Sequence, residues 1–145
     1  FGYRPFPDVQ MGAVLKLCQG LQERFDITHV LGHSDVAPER KQDPGELFNW
    51  KWLAQNGVGL WPETIEEDHE RAVVVARNDF EAEKLFVKLG YNPMTAYIDV
   101  VTAFHRHYYP AIFETGRQGE ICEETIARLL SLIRQQKQLS SDMRD

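Results

Sequence analysis

One segment of this chain, ITHVLGH at 27–33, reads as a buried β-strand, and a single strand cannot make a sheet. Its neighbours must come from elsewhere, because the segments around it have helical spacing. In PDVQMGAVLKLCQGLQERF (7–25) apolar side chains recur at 11, 14, 15, 18, 21 and 25. That is one stripe of a helix, with Asp8 as its N-cap behind Pro7. An irregular loop follows the strand at 34–45. GELFNWKWLAQNG (45–57) then reads as an aromatic-rich helix ended by Asn56-Gly57. Helix, strand, loop and helix predict part of an α/β layer, with too few elements for a complete sheet.

From Trp61 the composition changes. PETIEEDHE (62–70) opens on proline and is dense in acid, which suits a boundary or a solvated helix face. Three helices are predicted beyond it, at about 80–89, 95–109 and 123–136, with Gly90 and Pro110 ending the first two. Apolar residues at 97, 98, 101 and 104, and at 126, 129, 130 and 133, give the last two a buried stripe. The organisation expected is an α/β part at 1–62, a connecting segment or helix at 63–78, an all-α three-helix domain at 79–138, and a frayed tail at 139–145.

A hydrophobic share of 43% beside 26% charged residues predicts a folded chain rather than a disordered one. The longest apolar runs, such as VVVA at 73–76, are far shorter than the roughly 20 residues a membrane helix needs. A net charge of −6 with no basic stripe excludes nucleic acid as a generic partner. FGYRPFPD shows no starting Met, basic region or apolar core of a signal peptide. Cys18 and Cys122 read as small apolar residues, too few for a disulfide framework.

Chemistry concentrates in the loop LGHSDVAPERKQDPG, 31–45. His33 ends the expected strand and Asp43 stands across the loop, and imidazole and carboxylate are both good ligands for a first-row metal. Lys41 precedes Asp43 by two positions, so in extended backbone both project the same way and an ammonium would sit beside the metal. Pro38 and Pro44 stiffen the loop, and Gly45 frees the backbone beyond it. Two donors do not make a zinc site. On spacing alone, Asp43-Pro44-Gly45 reads equally as a turn and helix start, and Asp35 as an Asx-turn residue.

The run GHSDVAPERKQDPGELFNW (32–50) resembles the signature loop of the AmiD/AmpD-like zinc N-acetylmuramoyl-L-alanine amidases, which are distantly similar to peptidoglycan recognition proteins. The resemblance implies that His33 and Asp43 are zinc ligands and that Lys41 is the catalytic lysine. The reaction implied is hydrolysis of the amide between the muramoyl lactyl group and L-alanine. KLFVKLGYN, VVTAFHRHYYP and CEETIARLLSLI are similar to the three-helix peptidoglycan-binding domain, with His105 where glutamine is usual. Peptidoglycan or muropeptides are the partners implied, and a bacterial periplasmic or outer-membrane setting the location.

Such amidases place a third ligand, a histidine, and a catalytic glutamate far upstream of the loop, and only residues 1–32 precede His33 here. The resemblance thus implies an α/β fold, a mixed sheet flanked by helices with its N-terminal half absent, and a partner chain carrying that half would restore the set. His29 is no substitute: four extended residues separate it from His33 by roughly 13 Å, against the ~2 Å of a zinc bond. His69 lies in the acidic segment, and His105 and His107 do not share a helix face. Phe48, Trp50, Trp52 and Trp61 are expected to pack the helix at 46–55 against the sheet, and Phe104 to be core. Tyr108 and Tyr109, at a helix end, are the candidates to line a glycan or stem-peptide groove. Two functions follow: a zinc-dependent peptidoglycan amidase completed by further sequence, or a non-catalytic peptidoglycan-binding fragment.

Overall fold

The computed structural model describes residues 3–144; residues 1, 2 and 145, at the ends of the 1–62 and 139–145 segments, lie outside it. Seven α-helices run in chain order among the described residues: α1 (Asp8–Arg24), α2 (His33–Val36), α3 (Trp50–Gln55), α4 (Glu66–Val75), α5 (Asp79–Leu89), α6 (Tyr97–Tyr108) and α7 (Glu123–Asp142), with a 3-10 turn at Pro110–Thr115. There is no strand among the described residues, so the expected mixed α/β fold is corrected to an all-helical one. The reason lies in backbone pairing. Residues 26–32 take no regular secondary structure, and a segment becomes sheet only by exchanging hydrogen bonds with a neighbour. The segments beside it are helices, whose N–H and C=O groups bond within themselves.

α1 follows its apolar stripe: Met11 is buried, and Val14, Leu15 and Cys18 pack with it against Trp50, Leu53 and Val58 of the α3 region. Asp8 is its first helical residue and Pro7 holds the cap position, one place from the expectation. The helix expected over 45–57 is only α3. Gly45 turns at φ 90°, and the chain becomes helical after Asn49, whose Oδ1 accepts the Trp52 N–H at 3.1 Å. Phe48, Trp52 and Trp61 pack on this small core, so the aromatics face α1 in place of the expected sheet. Cys18 and Cys122 are both free thiols, half-buried.

A second, larger core joins α4, α5, α6 and α7 around Phe86, Phe104, Ile126 and Leu129. The ring of Phe104 meets that of Phe86 edge-on at 5.3 Å, as its place on the stripe requires. α4 packs on α7, and its Asp68 is buried and bound by Arg134 at 2.8 Å, so the acidic run at 63–71 is not wholly a solvated face. α7 continues through Asp142, past its expected end at 136, so the helix takes in most of the residues read as a tail.

His105 is fully buried in this core. Its Nδ1 donates to the Gln118 carbonyl at 2.7 Å and its Nε2 accepts from the Thr125 hydroxyl at 2.8 Å. That is the pairing of a neutral ring. Burial lowers its pKa to about 4, helped by the Arg128 charge and opposed by the Gln118 hydrogen bond.

Candidate functional site

His33 opens α2 rather than ending a strand, and Gly32 before it is extended at φ −87° and ψ 164°. The loop after α2 folds back on itself. Lys41 N–H reaches the Ala37 carbonyl at 3.0 Å, and Ser34 N–H reaches the Asp43 carbonyl at 3.1 Å. That second bond straps Asp43 to α2 and brings His33 Nδ1 within 2.9 Å of Asp43 Oδ2. Both side chains are exposed, at 63% and 62%. Gly32 must be glycine for this closure, since a Cβ there would lie 2.8 Å from Pro44 Cδ.

Behind the exposed pair lies a buried one. The Asp35 carboxylate accepts the Gly32 N–H at 2.9 Å, the His107 Nδ1–H at 2.7 Å and the Tyr91 hydroxyl at 2.7 Å. A carboxylate only accepts, so Nδ1 of His107 carries the proton. Burial works to raise the Asp35 carboxyl. The His107 charge and the three hydrogen bonds outweigh it and hold the group below its usual 3.8. Tyr91 is pushed well above 10.0 by burial and then by that carboxylate. Asp35 is thus no simple Asx-turn residue: it ties α2 to α6 and to the end of α5.

The His107 ring lies between Trp50, at 3.9 Å, and Tyr108, at 3.7 Å, with interplanar angles of 23° and 8°. This stack joins the small core to the large one. Tyr108 is buried in it, and its ring borders a cavity of about 280 Å³ that Asp35, Tyr91, His29 and Leu31 also line. Tyr109 is turned the other way, against His105 and under the Arg128 guanidinium at 4.3 Å. His69 is half-buried and bonds the Thr64 hydroxyl at 3.0 Å.

The structure therefore brings His33 and Asp43 together and keeps Lys41, half-buried, in the same loop. Neutral imidazole and carboxylate are the right chemistry for zinc, and their closeness suits two ligands of one ion. No third histidine, cysteine or acid joins them to make a metal-holding group among the described residues. The residues present fit part of a zinc site. Asp35, His107 and Tyr91 were invisible as a unit in the sequence, since the two partners of Asp35 lie 72 and 56 positions downstream of it.

Residues 1–46, which hold the whole His33–Asp43 loop, match the family described as N-acetylmuramoyl-L-alanine amidase. The chain is 32% identical over 135 residues to N-acetylmuramoyl-L-alanine amidase AmiD of Escherichia coli, covering 86% of this chain and 48% of AmiD. The chain is similar to the AmiD- and AmpD-type amidases. The 1,6-anhydro-N-acetylmuramyl-L-alanine amidase AmpD of Enterobacter cloacae is 42% identical over 48 residues, 32% of this chain and 26% of that one. Among solved structures, AmpDH3 of Pseudomonas aeruginosa superposes with a TM-score of 0.76 at 26% identity, over 93% of this chain and 56% of AmpDH3. E. coli AmiD, solved with anhydro-N-acetylmuramic acid-L-Ala-D-γ-Glu-L-Lys, superposes with a TM-score of 0.73 at 30% identity, over 90% and 53%. The chain spans about half the length of AmiD and of these solved amidase chains.

Proposed function

We propose that this chain is the C-terminal part of a zinc-dependent peptidoglycan amidase that hydrolyses the N-acetylmuramoyl, or anhydro-muramoyl, amide bond to L-alanine. The observation that carries this is the 2.9 Å convergence of His33 and Asp43 within the segment that matches the amidase family. In this reading His33 and Asp43 hold the ion, and a third protein ligand comes from polypeptide beyond these residues. Zinc, when bound, supplies Lewis acidity and acidifies a water to near neutral pKa. Lys41 steadies negative charge on the amide oxygen as the carbonyl is attacked. The solved AmiD and AmpDH3 complexes contain anhydromuramyl peptides, which supports muropeptides as the substrate class. The helices at 79–138 would serve as the peptidoglycan-binding module, and the setting would be the bacterial periplasm or outer membrane.

The test is Lys41→Ala in the protein completed by its N-terminal half. Turnover of a muropeptide should fall by about 10²–10³ with zinc still bound one to one. Loss of zinc at unchanged turnover per bound ion would remove Lys41 from this role.

A second reading, a non-catalytic wall-binding fragment, is favoured by the lack of a three-donor metal group among the described residues. Retention on purified sacculi with no amidase activity, even beside a companion chain bearing the remaining ligand, would establish it.

A further inference from the structure

We infer that the C-terminal helices position the metal-ligand loop, with His107 acting through Asp35 to set where His33 and Asp43 stand. The inference rests on the amidase reading above.

The argument begins with what holds the two donors. Both side chains are mostly in solvent, so no packing fixes them; what fixes them is their backbone. That backbone is held at two points. Asp35 Oδ2 accepts the N–H of Gly32, which aims the start of α2 and hence His33. Ser34 N–H then holds the Asp43 carbonyl, so Asp43 follows wherever α2 goes. The position of α2 is in turn set by Asp35, whose side chain is 3% exposed and has only α5- and α6-side donors beyond its own turn. His107 supplies the bond from α6. It is 1% exposed and clamped between Trp50 and Tyr108, which leaves its Nδ1 one orientation in which to donate.

A buried ring stacked on both faces exceeds what docking two helices requires, since an apolar ring would fill the same slot. His107 also leaves its Nε2 buried without a partner. A buried unpaired nitrogen is unfavourable, and the residue's use is therefore the directed Nδ1–H bond to Asp35. His107 and Asp35 are positioning residues: neither faces the exposed donor pair.

The experiment uses the protein completed by its N-terminal half, as wild type, His107→Phe and His107→Asn. Phenylalanine keeps the stack and removes the donor; asparagine restores an N–H near the place of Nδ1. Amide hydrogen exchange is followed residue by residue over 32–43, with cobalt(II) binding by absorbance and thermal unfolding alongside. In His107→Phe the amides of Gly32, Ser34 and Asp35 should exchange about tenfold faster, while those of α5 and α7 hold their protection. Cobalt should bind about tenfold more weakly, and His107→Asn should recover both in part.

Unchanged exchange over 32–36 in His107→Phe would overturn the inference. Acceleration shared equally by all helices would do so too, because it would mark a residue that only stabilises the fold. Should His107→Phe not fold, Tyr91→Phe removes the other side-chain donor to Asp35; faster exchange confined to 32–36 supports the inference, and no change overturns it. Wild type that binds no cobalt would refute the amidase reading, and the exchange data would still decide the positioning.

Discussion

Acid should unfold this chain through one buried ring. His105 has its usual pKa of 6.5 in the unfolded chain and one lowered to about 4 when folded, because burial disfavours its charged form. Below pH 6.5 the unfolded chain takes up a proton that the folded chain refuses, so unfolding is favoured as pH falls. The loss begins near pH 6.5, grows through the window down to about 4, and is complete below it. Between pH 7 and pH 4.5 it amounts to about 2 kcal/mol, from 1.36 kcal/mol per pKa unit. Urea unfolding at the two pH values would show it as a drop of roughly 1 M in midpoint, given a slope of 1–3 kcal/mol/M for small proteins.

The control is His105→Gln. A glutamine can donate to the Gln118 carbonyl and accept from Thr125 without titrating, which isolates the ring from the other acid-sensitive groups. The variant should resemble wild type at pH 7 and lose markedly less stability at pH 4.5. If the two midpoints fall in parallel, His105 is charged in the folded chain or its pKa is ordinary, and the reasoning from its two hydrogen bonds is wrong.

Gly32→Ala should destabilise the chain by about 1–3 kcal/mol, since its Cβ would press on Pro44 Cδ at 2.8 Å and Trp50 Cζ2 at 3.3 Å; differential scanning calorimetry reads the change. Arg134→Ala removes the guanidinium that bonds Asp68 at 2.8 Å and the Glu63 carbonyl at 3.0 Å. It leaves a carboxylate that is 8% exposed with only its own capping bond to Ile65 N–H, and should cost about 1–3 kcal/mol in urea unfolding at pH 7.

Helices were legible because their apolar stripes repeat every 3.6 residues: α1, α5 and α6 lie within one or two residues of their expected ends. Two kinds of signal misled. ITHVLGH has strand composition, but β-propensity is realised only against a neighbour, and the helices beside it offer none. GELFN has helical composition, but the positive φ of Gly45 and the cap at Asn49 delay the helix to Trp50. At the site, the closeness of His33 and Asp43 is a local fact, written in one proline-stiffened loop. The contact of Asp35 with His107 is not local. Asp35 carries the pattern of a turn residue, and nothing in its neighbours announces a partner on α6.

That non-local contact has a structural consequence. The small core contains four buried residues, Met11, Trp50, Leu53 and Val58, and clusters of that size do not stabilise a chain of some 60 residues alone. The larger core of α4 to α7 has ample apolar burial of its own. Between them runs a row of rings, Phe6, Phe48, Trp50, His107, Tyr108 and Phe104, each touching the next within 5.2 Å. Trp50 belongs to the weak core and rests on a ring of the strong one. The loop bearing His33 and Asp43 sits on the weak side of that row and draws its rigidity across it. Perturbations in α6 should therefore reach the loop before they unfold α5 or α7.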